Sequence, residues 1–421
     1  MANTFTKEEK VAFDQIIEGF DDAMVISKKV AKFGTNGQLM ERANDTIWRP
    51  QPYIMNSQNR TVGSAVTAQD AKQLSVPSTL GYKKNVTWNL DATELRDQLQ
   101  EGRLGKSAYQ RLSSDVNTAV RDVVSLEGTI VVTKSSAASA YGDIAAIESA
   151  MNEQGLPMDD RCIALTTRDY NGLAGDLAGR ETLNKKALTA YERSQIGMIA
   201  GFEALKIDAG KQIAGAAGSG DTIDTTGSQV QYDPLSSEST TAGEINVDNR
   251  TQQVTVSDTT SVVAGDCFTI AGINSVHHIT KEDTNQLKTF RVISVDSGTT
   301  MTISPPIIGA NSTPTDSELQ YKNCEVTSTS ATAAISYINT TDTGANPFWC
   351  YESIELMPGR YAVPSGQGVD VLRGTTDQGL EVVMGKSFSN STFTTLYTLD
   401  VFFGVTNLNP EMNGIALFNQ A

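Results

Sequence analysis

The sequence lacks the features that mark membrane, secreted and metal-binding proteins. No run approaches the roughly 18 apolar residues that a membrane-spanning helix needs, and the charged segment Met1 to Lys10 lacks the apolar core of a signal peptide. We therefore expect no membrane segment and a protein that starts in the cytoplasm. The cysteines are far apart, without CxxC or Cys/His spacing, which favours buried free thiols over a disulfide framework or a metal site. They are Cys162, Cys267, Cys324 and Cys350.

Positive charge is also scarce. The chain has 33 Lys and Arg against 49 Asp and Glu, a formal net charge of −16, which would repel a phosphate backbone and argues against nucleic-acid readout. The excess is uneven, because residues 221–344 contain 5 Lys and Arg and 15 Asp and Glu. This difference marks the stretch as a separate region.

Catalytic patterns are missing as well. The histidines are His277 and His278, and because adjacent strand residues point to opposite faces, they are poorly placed to share a metal; we expect an exposed loop or turn. Gly215 to Gly220 has no following Lys-Ser or Lys-Thr, so a flexible linker is favoured over a phosphate loop. No GxSxG, HExxH or EF-hand spacing occurs. We therefore predict no enzymatic activity, no cofactor and no metal.

The first half of the chain shows helix signals. Residues 6–34 carry an apolar stripe that includes Phe13, Ile16 and Phe20, and the stripe fits either core packing or an arm on a neighbouring subunit. Residues 54–90 are polar and Gly/Ser/Asn/Gln-rich, which indicates a disordered or extended loop. A long helix follows at about 107–127. Further helices and strands then alternate without phosphate loops, which is typical of an α+β protein.

Residues 222–344 show a different pattern. Short alternating segments bounded by Asp, Gly, Asn or Pro predict strands that would form a small barrel or sandwich. The predicted strands are Val254–Ser257, Cys267–Ala271, Lys288–Val295, Thr300–Ser304, Glu325–Thr329 and Ala333–Asn339. The composition of the first half returns after residue 345, so we interpret 222–344 as a β domain inserted into one body.

Several short motifs, in order along the chain, resemble the coat proteins of P22-like short-tailed double-stranded DNA bacteriophages. They are Thr46-Ile47-Trp48 with Pro50, Leu95-Arg96-Asp97, Asp169-Tyr170, Ala200-Gly201-Phe202, Asn246-Val247-Asp248-Asn249-Arg250, Asn346 with Phe348-Trp349, Phe403-Gly404-Val405 and Pro410-Glu411. The resemblance implies an HK97-type capsid fold with an inserted all-β barrel or Ig-like domain. Its parts would be an N-terminal arm and helix at 1–53, an extended loop at 54–90, a core of peripheral and axial domains with a spine helix at 91–221 plus 345–421, and the insertion domain at 222–344.

The resemblance also implies a function. We expect a structural major capsid protein whose hexamers and pentamers form an icosahedral head around double-stranded DNA, without sequence-specific DNA binding. A separate scaffolding protein and a portal protein would be partners, and assembly would take place in the cytoplasm of the bacterial host, with the product located in the virion. A surface adhesin or carbohydrate-binding β protein is the alternative, because a Ser/Thr-rich β domain resembles many binding modules. A hydrolase whose site is invisible in one sequence is a third.

The acidic loop from Tyr232 to Ile245 is the candidate contact between subunits. It contains Asp233, Glu238 and Glu244 but no Lys or Arg, so it is either plainly solvated or directed at a cation elsewhere. The resemblance favours the second, since the corresponding loop of similar coat proteins links insertion domains between capsomers. We predict Arg291 as its basic partner.

Overall fold

The computed structural model describes residues 5–420 apart from 6, 34–45, 53, 56, 58–61, 64–67, 69, 92–97, 180–189, 209, 310–312 and 363–369. Its α-helices are α1 (Lys7–Ala23), α2 (Gln98–Glu127), α3 (Tyr141–Glu153), α4 (Thr167–Ala178) and α5 (Asp316–Tyr321). Short 3-10 helices span Ser27–Lys29, Ser228–Val230, Tyr351–Ser353 and Pro410–Met412.

The strands, in chain order, are β1 (Ala31–Lys32), β2 (Thr46–Pro50), β3 (Ser75–Thr79), β4 (Tyr82–Asp91), β5 (Ile130–Thr133), β6 (Arg161–Thr166), β7 (Met198–Ile199), β8 (Phe202–Ile207), β9 (Gln212–Ile213), β10 (Thr222–Ile223), β11 (Ser237–Thr240), β12 (Gly243–Asn246), β13 (Gln252–Thr255), β14 (Cys267–Val276), β15 (Asp283–Val295), β16 (Thr300–Ser304), β17 (Cys324–Val326), β18 (Ala333–Tyr337), β19 (Thr343–Gly344), β20 (Asn346–Cys350), β21 (Ile354–Pro358), β22 (Asp370–Thr375), β23 (Glu381–Ser389), β24 (Thr394–Asn407) and β25 (Asn413–Leu417).

The first of two compact units comprises Met1–Ile47, Pro77–Asp122 and Ile354–Thr406. Its sheet has the order β1-β21-β24-β23-β22, with β4 on β24. Helix α1 packs on this sheet. Its residues Ile17 and Phe13 lie so close to Gly374 of β22 that a side chain at that position would collide with them. Phe13 and Phe20 are buried. The apolar stripe of α1 is therefore core packing within its own chain.

Helix α1 ends earlier than the periodicity predicted, because Asn117 of α2 binds the backbone just beyond its last residue. The Asn117 carboxamide oxygen accepts hydrogen bonds from the backbone N–H groups of Ile26 and Ser27, both at 3.2 Å. Its Nδ2 donates to the carbonyl of Ala23 at 3.0 Å. A side chain distant in sequence thus satisfies the end of the helix, and residue 34, where the helical pattern of the sequence ends, lies outside the described residues.

Two strands lie in the polar stretch 54–90, where the sequence predicted no regular structure. Strand β4 pairs with β24 along its whole length, from Asp91 opposite Thr394 to Tyr82 opposite Phe403. Tyr82 stacks on Phe403 with ring centroids 5.2 Å apart. Residues 86–91 of β4 alternate apolar and polar side chains, and their burial alternates in step, but this short run stands in an otherwise polar stretch whose composition concealed the strand. The role of 54–90 as an extended loop in a shell remains a prediction.

The second unit comprises Trp48–Val76, Val123–Ser353 and Asn407–Ala421. One of its sheets has the order β5-β25-β20-β6-β8-β7, with β5 parallel to β25 and β6 parallel to β8. Strand β20 lies in the middle of this sheet, where Phe348 and Trp349 are fully buried. The mixture of helices and strands agrees with the α+β class predicted from the sequence.

The inserted β region of the second unit is a closed barrel. Each of the six predicted strands is present, as β13 to β18, and the sheet order is β10-β18-β14-β15-β16-β13 with β17 on β14. A bridge between Ile223 and Val256 joins the two ends of this order. The barrel has its own apolar core, in which Phe268 stacks on Phe290 at 5.6 Å. Of the two folds left open by the sequence, the barrel is the one observed.

The two connections to the barrel run side by side as a paired neck. Strand β9 pairs with β19, the backbone N–H of Gly215 donates to Asp342 Oδ1 at 2.8 Å, and Asn339 Nδ2 donates to the carbonyl of Ala214 at 3.0 Å. A Cβ at Gly218 would lie 2.6 Å from the ring of Tyr337. The prediction of a flexible linker at Gly215 to Gly220 was therefore wrong, because glycine here permits close approach.

The two compact units do not follow the four segments predicted from the sequence, and the barrel belongs to the same unit as the sheet around β20. Independent folding of residues 222–344 stays a prediction.

Candidate subunit interface

The acidic loop forms a two-stranded hairpin on the surface of the second unit. Strands β11 and β12 pair with Glu238 opposite Ile245 and Ser239 opposite Glu244. Because directly opposed residues share a face and neighbours alternate, the two carboxylates lie on opposite faces of the hairpin. Both are exposed, as are nearly all residues of the two strands. The hairpin buries no core of its own, so packing does not explain its presence.

The base of the hairpin is fixed by Asn249. Its Nδ2 donates to the carbonyl of Leu235 at 2.8 Å, and its Oδ1 accepts from the backbone N–H of Leu235 at 3.0 Å and from the hydroxyl of Tyr232 at 3.2 Å. Asn249 is itself buried. The hairpin is thus anchored at a defined position, while its tip is exposed.

Asp233 lies at the same base and has local hydrogen-bond partners. Its Oδ1 accepts from the Thr315 hydroxyl at 3.0 Å and from the Ser317 hydroxyl at 3.4 Å. Burial, with the nearby carboxylates of Asp248 and Asp233, raises the pKa of Tyr232 to about 12. The structure therefore brings Asp233, Glu238 and Glu244 into one surface element, with Asp233 bound at its foot.

Arg291, the predicted basic partner, is not on the surface. Its side chain is completely buried, with Nη1 donating to Cys267 Sγ at 2.9 Å and Nη2 to the carbonyl of Ser125 at 2.5 Å. A guanidinium held inside the chain cannot reach a carboxylate of another subunit. The sequence prediction for Arg291 is therefore corrected: alternation on β15 turns it toward the end of α2, which a single sequence does not reveal.

The other cations of residues 222–344 also have partners within the chain. They are Arg250 with Asp248, Lys281 with the carbonyl of Lys322, Lys288 with Glu411, and Lys322 with Glu325. An acidic hairpin that approached the barrel of a neighbour would thus find cations that are already engaged.

The two histidines lie at a turn, as predicted, where the barrel meets the end of α3, but they are half-buried rather than exposed. A Cβ at Gly155, whose φ is +74°, would lie 2.4 Å from the imidazole of His277, and the backbone N–H of His278 donates to the carbonyl of Gln154 at 2.7 Å. Burial, reinforced by the neighbouring charge of Lys281, lowers the pKa of His278 to about 4. The two histidines pack against the end of α3, and they do not belong to any group of described residues that could hold a metal ion.

The thiol groups of the chain are buried where the structure describes them. The four cysteines are free and buried, and burial raises the pKa of Cys324 to about 12 and that of Cys350 to about 11. Among the described residues, no three His, Cys, Asp or Glu side chains are arranged to hold a metal ion. Within that same part of the chain, every helix is too short or too polar to cross a membrane.

Sequence reasoning missed Asn249, which fixes the base of the hairpin, and Glu411, which pairs with Lys288 of the barrel. Both lie in motifs quoted for the resemblance, but a polar residue beside Asp248 or Pro410 carries no local sign of its long-range partner. Glu411 pairs with Lys288, and Asn249 holds a hairpin that starts 14 residues earlier. Contacts at such separations are set by the tertiary fold.

Comparison with known proteins places these features in context. The sequence matches one family, described as "P22 coat protein - gene protein 5", over residues 1–419. Similar solved structures include the capsid of the cyanophage P-SCSP1u, with 11% identity over 92% of each chain and a TM-score of 0.40. The mature capsid of bacteriophage PhiM1 has 10% identity over 92% of this chain and 89% of its own, with a TM-score of 0.41. The CUS-3 coat protein I-domain has 38% identity over 29% of this chain and 98% of its own, with a TM-score of 0.22.

Proposed function

This chain belongs to the P22 coat protein family, and we propose that it builds a closed icosahedral head around double-stranded DNA with the help of a scaffolding protein. It is a structural major capsid protein of a bacteriophage virion and assembles into multimeric shells. The family match over residues 1–419 supports the coat-protein function and not the adhesin alternative. That the chain is not an enzyme remains a prediction.

The finer parts of the proposal concern partners and place. Hexamers and pentamers would form the shell, a portal protein would occupy one vertex, and assembly would take place in the cytoplasm of the bacterial host. The net charge of −16 supports enclosure of DNA without tight binding, since like charges keep a packaged polyanion mobile.

The acidic hairpin is the proposed contact between neighbouring subunits. Its exposure, its fixed base at Asn249 and its lack of a core of its own support this role. Because Arg291 is buried, the cation that binds the hairpin carboxylates is proposed to lie on the neighbouring subunit outside residues 222–344. The alternative is that the hairpin is ordinary solvated surface.

Electron microscopy of the purified chain, expressed with and without the scaffolding protein of its own phage, tests the main proposal. Closed shells of uniform size are expected with the scaffold, and aberrant or fewer particles without it. Soluble monomers under all buffer conditions in both expressions would contradict a shell-building function. Uniform shells without scaffold would retain the coat function and remove the scaffold from the proposal.

A further inference from the structure

The turn between β23 and β24 carries an apolar tip made of Phe388, Phe393 and Leu396. Phe388 is 44% exposed, Phe393 60% and Leu396 36%. The two phenylalanine rings meet edge to face with centroids 6.2 Å apart. They therefore contact each other while remaining largely outside the core of the first unit, and neither is needed to fill it.

The backbone at Phe393 is strained. Its φ of 56° lies in the left-handed region, which glycine and asparagine tolerate but a bulky aromatic residue rarely adopts. The turn is braced by hydroxyl contacts between Ser389 and Ser391 at 3.0 Å and between Thr392 and Thr394 at 2.7 Å. Phe393 thus combines an unfavourable backbone conformation with a solvent-exposed aromatic ring. Folding of the chain alone does not require this arrangement.

We propose that this apolar tip packs against a second copy of the chain in the assembled shell, an inference that rests on the proposed shell-building function. The distribution of charge supports a second copy of the chain as the partner of the tip. Residues 387–399 contain no charged side chain, although the chain as a whole carries −16. Copies of an acidic protein repel one another, and an uncharged contact avoids that repulsion where two of them meet.

The small size of the tip also supports contact with a second copy in the assembled shell. A stable pairwise interface buries roughly 1,200–2,000 Å² in total, far more than three partly exposed side chains supply. The contact is therefore too small to hold a dimer in solution or to bind a soluble partner alone. It suits one of many weak contacts that add up in a closed symmetric assembly, so the chain stays monomeric until shells form.

The test combines two variants. F388S/F393N removes both rings and places asparagine where the backbone is left-handed, and F388L/F393L keeps the apolar volume as a matched control. Both are expected to remain monomeric and to unfold at a midpoint close to that of the wild type. The Ser/Asn variant is expected to need on the order of tenfold more protein for half-maximal shell assembly with scaffold, and the Leu variant much less than that. Equal assembly concentrations for the wild type and the Ser/Asn variant overturn the inference.

A second measurement uses the unmodified chain and so does not depend on a variant folding. Hydroxyl-radical oxidation of Phe388 and Phe393 is compared between monomers and shells emptied of scaffold. At least several-fold protection of both rings in shells is expected. Equal oxidation in both states, or protection already present in the monomer, overturns the inference; the latter would mean that the chain covers its own tip. Failure of the wild type to form any shell would instead contradict the proposed function.

Discussion

The guanidinium of Arg291 donates a hydrogen bond to the carbonyl of Ser125 across 2.5 Å and so joins strand β15 of the barrel to the last turn of α2. Carbonyls in that turn lack helical partners and carry partial negative charge. The observed partners of the buried guanidinium are this carbonyl and Cys267 Sγ, while its Nε has no hydrogen-bond partner among the described residues, so the helix end supplies partial negative charge to an incompletely bonded cation.

Replacing Arg291 by Met is therefore expected to lower the free energy of unfolding of the full chain by about 1–3 kcal/mol. The change removes a hydrogen bond from a charged donor and leaves a buried carbonyl without it, while relief of the desolvation of the guanidinium offsets part of the loss. Urea denaturation measures it. Arg111→Met is the matched control, since Arg111 pairs with Asp115 on an exposed helix face and should change the free energy by less than ~0.5 kcal/mol. Equal effects of the two substitutions would show that the Ser125 contact contributes nothing.

Residues 222–344 are expected to fold as an isolated fragment. The barrel has a separate core of apolar side chains and a closed strand order, which suffices for a small domain. Far-ultraviolet circular dichroism and amide NMR dispersion should report a cooperative β structure. A longer fragment, 211–345, should be more stable, because it retains the β9 and β19 pair of the neck. Random-coil spectra for fragments cut at several nearby boundaries would contradict the prediction.

The fragment also separates the two roles of Arg291. Without Ser125 the guanidinium faces water rather than a helix end, so Arg291→Met should change the stability of the fragment by less than ~0.5 kcal/mol. A large loss in the fragment would place the importance of Arg291 inside the barrel and not at the contact with α2.

The sequence predicted most of the barrel because its strands alternate apolar and polar residues between clear turn residues. It predicted the existence of α1 and α2 for the same reason, since the apolar period is local. It did not predict β4, whose short alternating run at 86–91 stands in an otherwise polar stretch, or the end of α1, which is set by Asn117. Periodicity reports burial on one face and gives no information about partners far along the chain.

The candidate interface was predictable to the same extent. The acidic loop stood out through its own composition, and the structure places its carboxylates in one hairpin. Arg291 failed as a partner because whether a cation on a strand points outward or toward a helix end depends on what lies beneath the strand. The same holds for the paired neck, where glycine indicated flexibility in the sequence but permits the ring of Tyr337 to approach.

Acid should weaken the fold through His278. Its pKa falls from 6.5 to about 4 on folding, because burial and, to a smaller extent, the positive charges of Lys281 and Lys288 disfavour the imidazolium, against the opposing charge of Glu411. Between these two values the unfolded chain binds a proton that the folded chain does not. The free energy of unfolding is therefore expected to fall as the pH decreases from about 6.5 toward 4. Above pH 6.5, His278 is neutral in both states and contributes no pH dependence.

His278→Gln isolates this effect. When the pH is lowered from 7 to 4.5, the free energy of unfolding of the wild type should fall by about 2 kcal/mol more than that of the variant. Denaturant titrations at the two pH values measure the change. A difference between variant and wild type that stays constant with pH would show that His278 is protonated equally in both states.

The acidic hairpin gives the last prediction. Replacing Asp233, Glu238 and Glu244 together by Ala should leave the stability of the monomer within about 0.5–1 kcal/mol of the wild type. Glu238 and Glu244 are exposed, and only Asp233 loses local hydrogen bonds, those from Thr315 and Ser317. Shells of this variant should be fewer, aberrant or less resistant to urea, because the same small ionic contact is lost at every subunit of a closed assembly. Electron microscopy and light scattering measure both outcomes.

Two further variants make the result specific to charge. S236A/S239A/T241A changes exposed hydroxyls of the same segment without removing a carboxylate and should assemble like the wild type. E238K/E244K reverses the charge at the tip, leaves Asp233 with its partners, and should impair assembly more than the Ala substitutions do, because attraction becomes repulsion. An ionic contact should also weaken with added salt in the wild type and lose that dependence in the Ala variant. Shells of unchanged stability in both carboxylate variants would show that the hairpin is solvated surface, and the contacts that close the shell would then have to lie elsewhere on the chain.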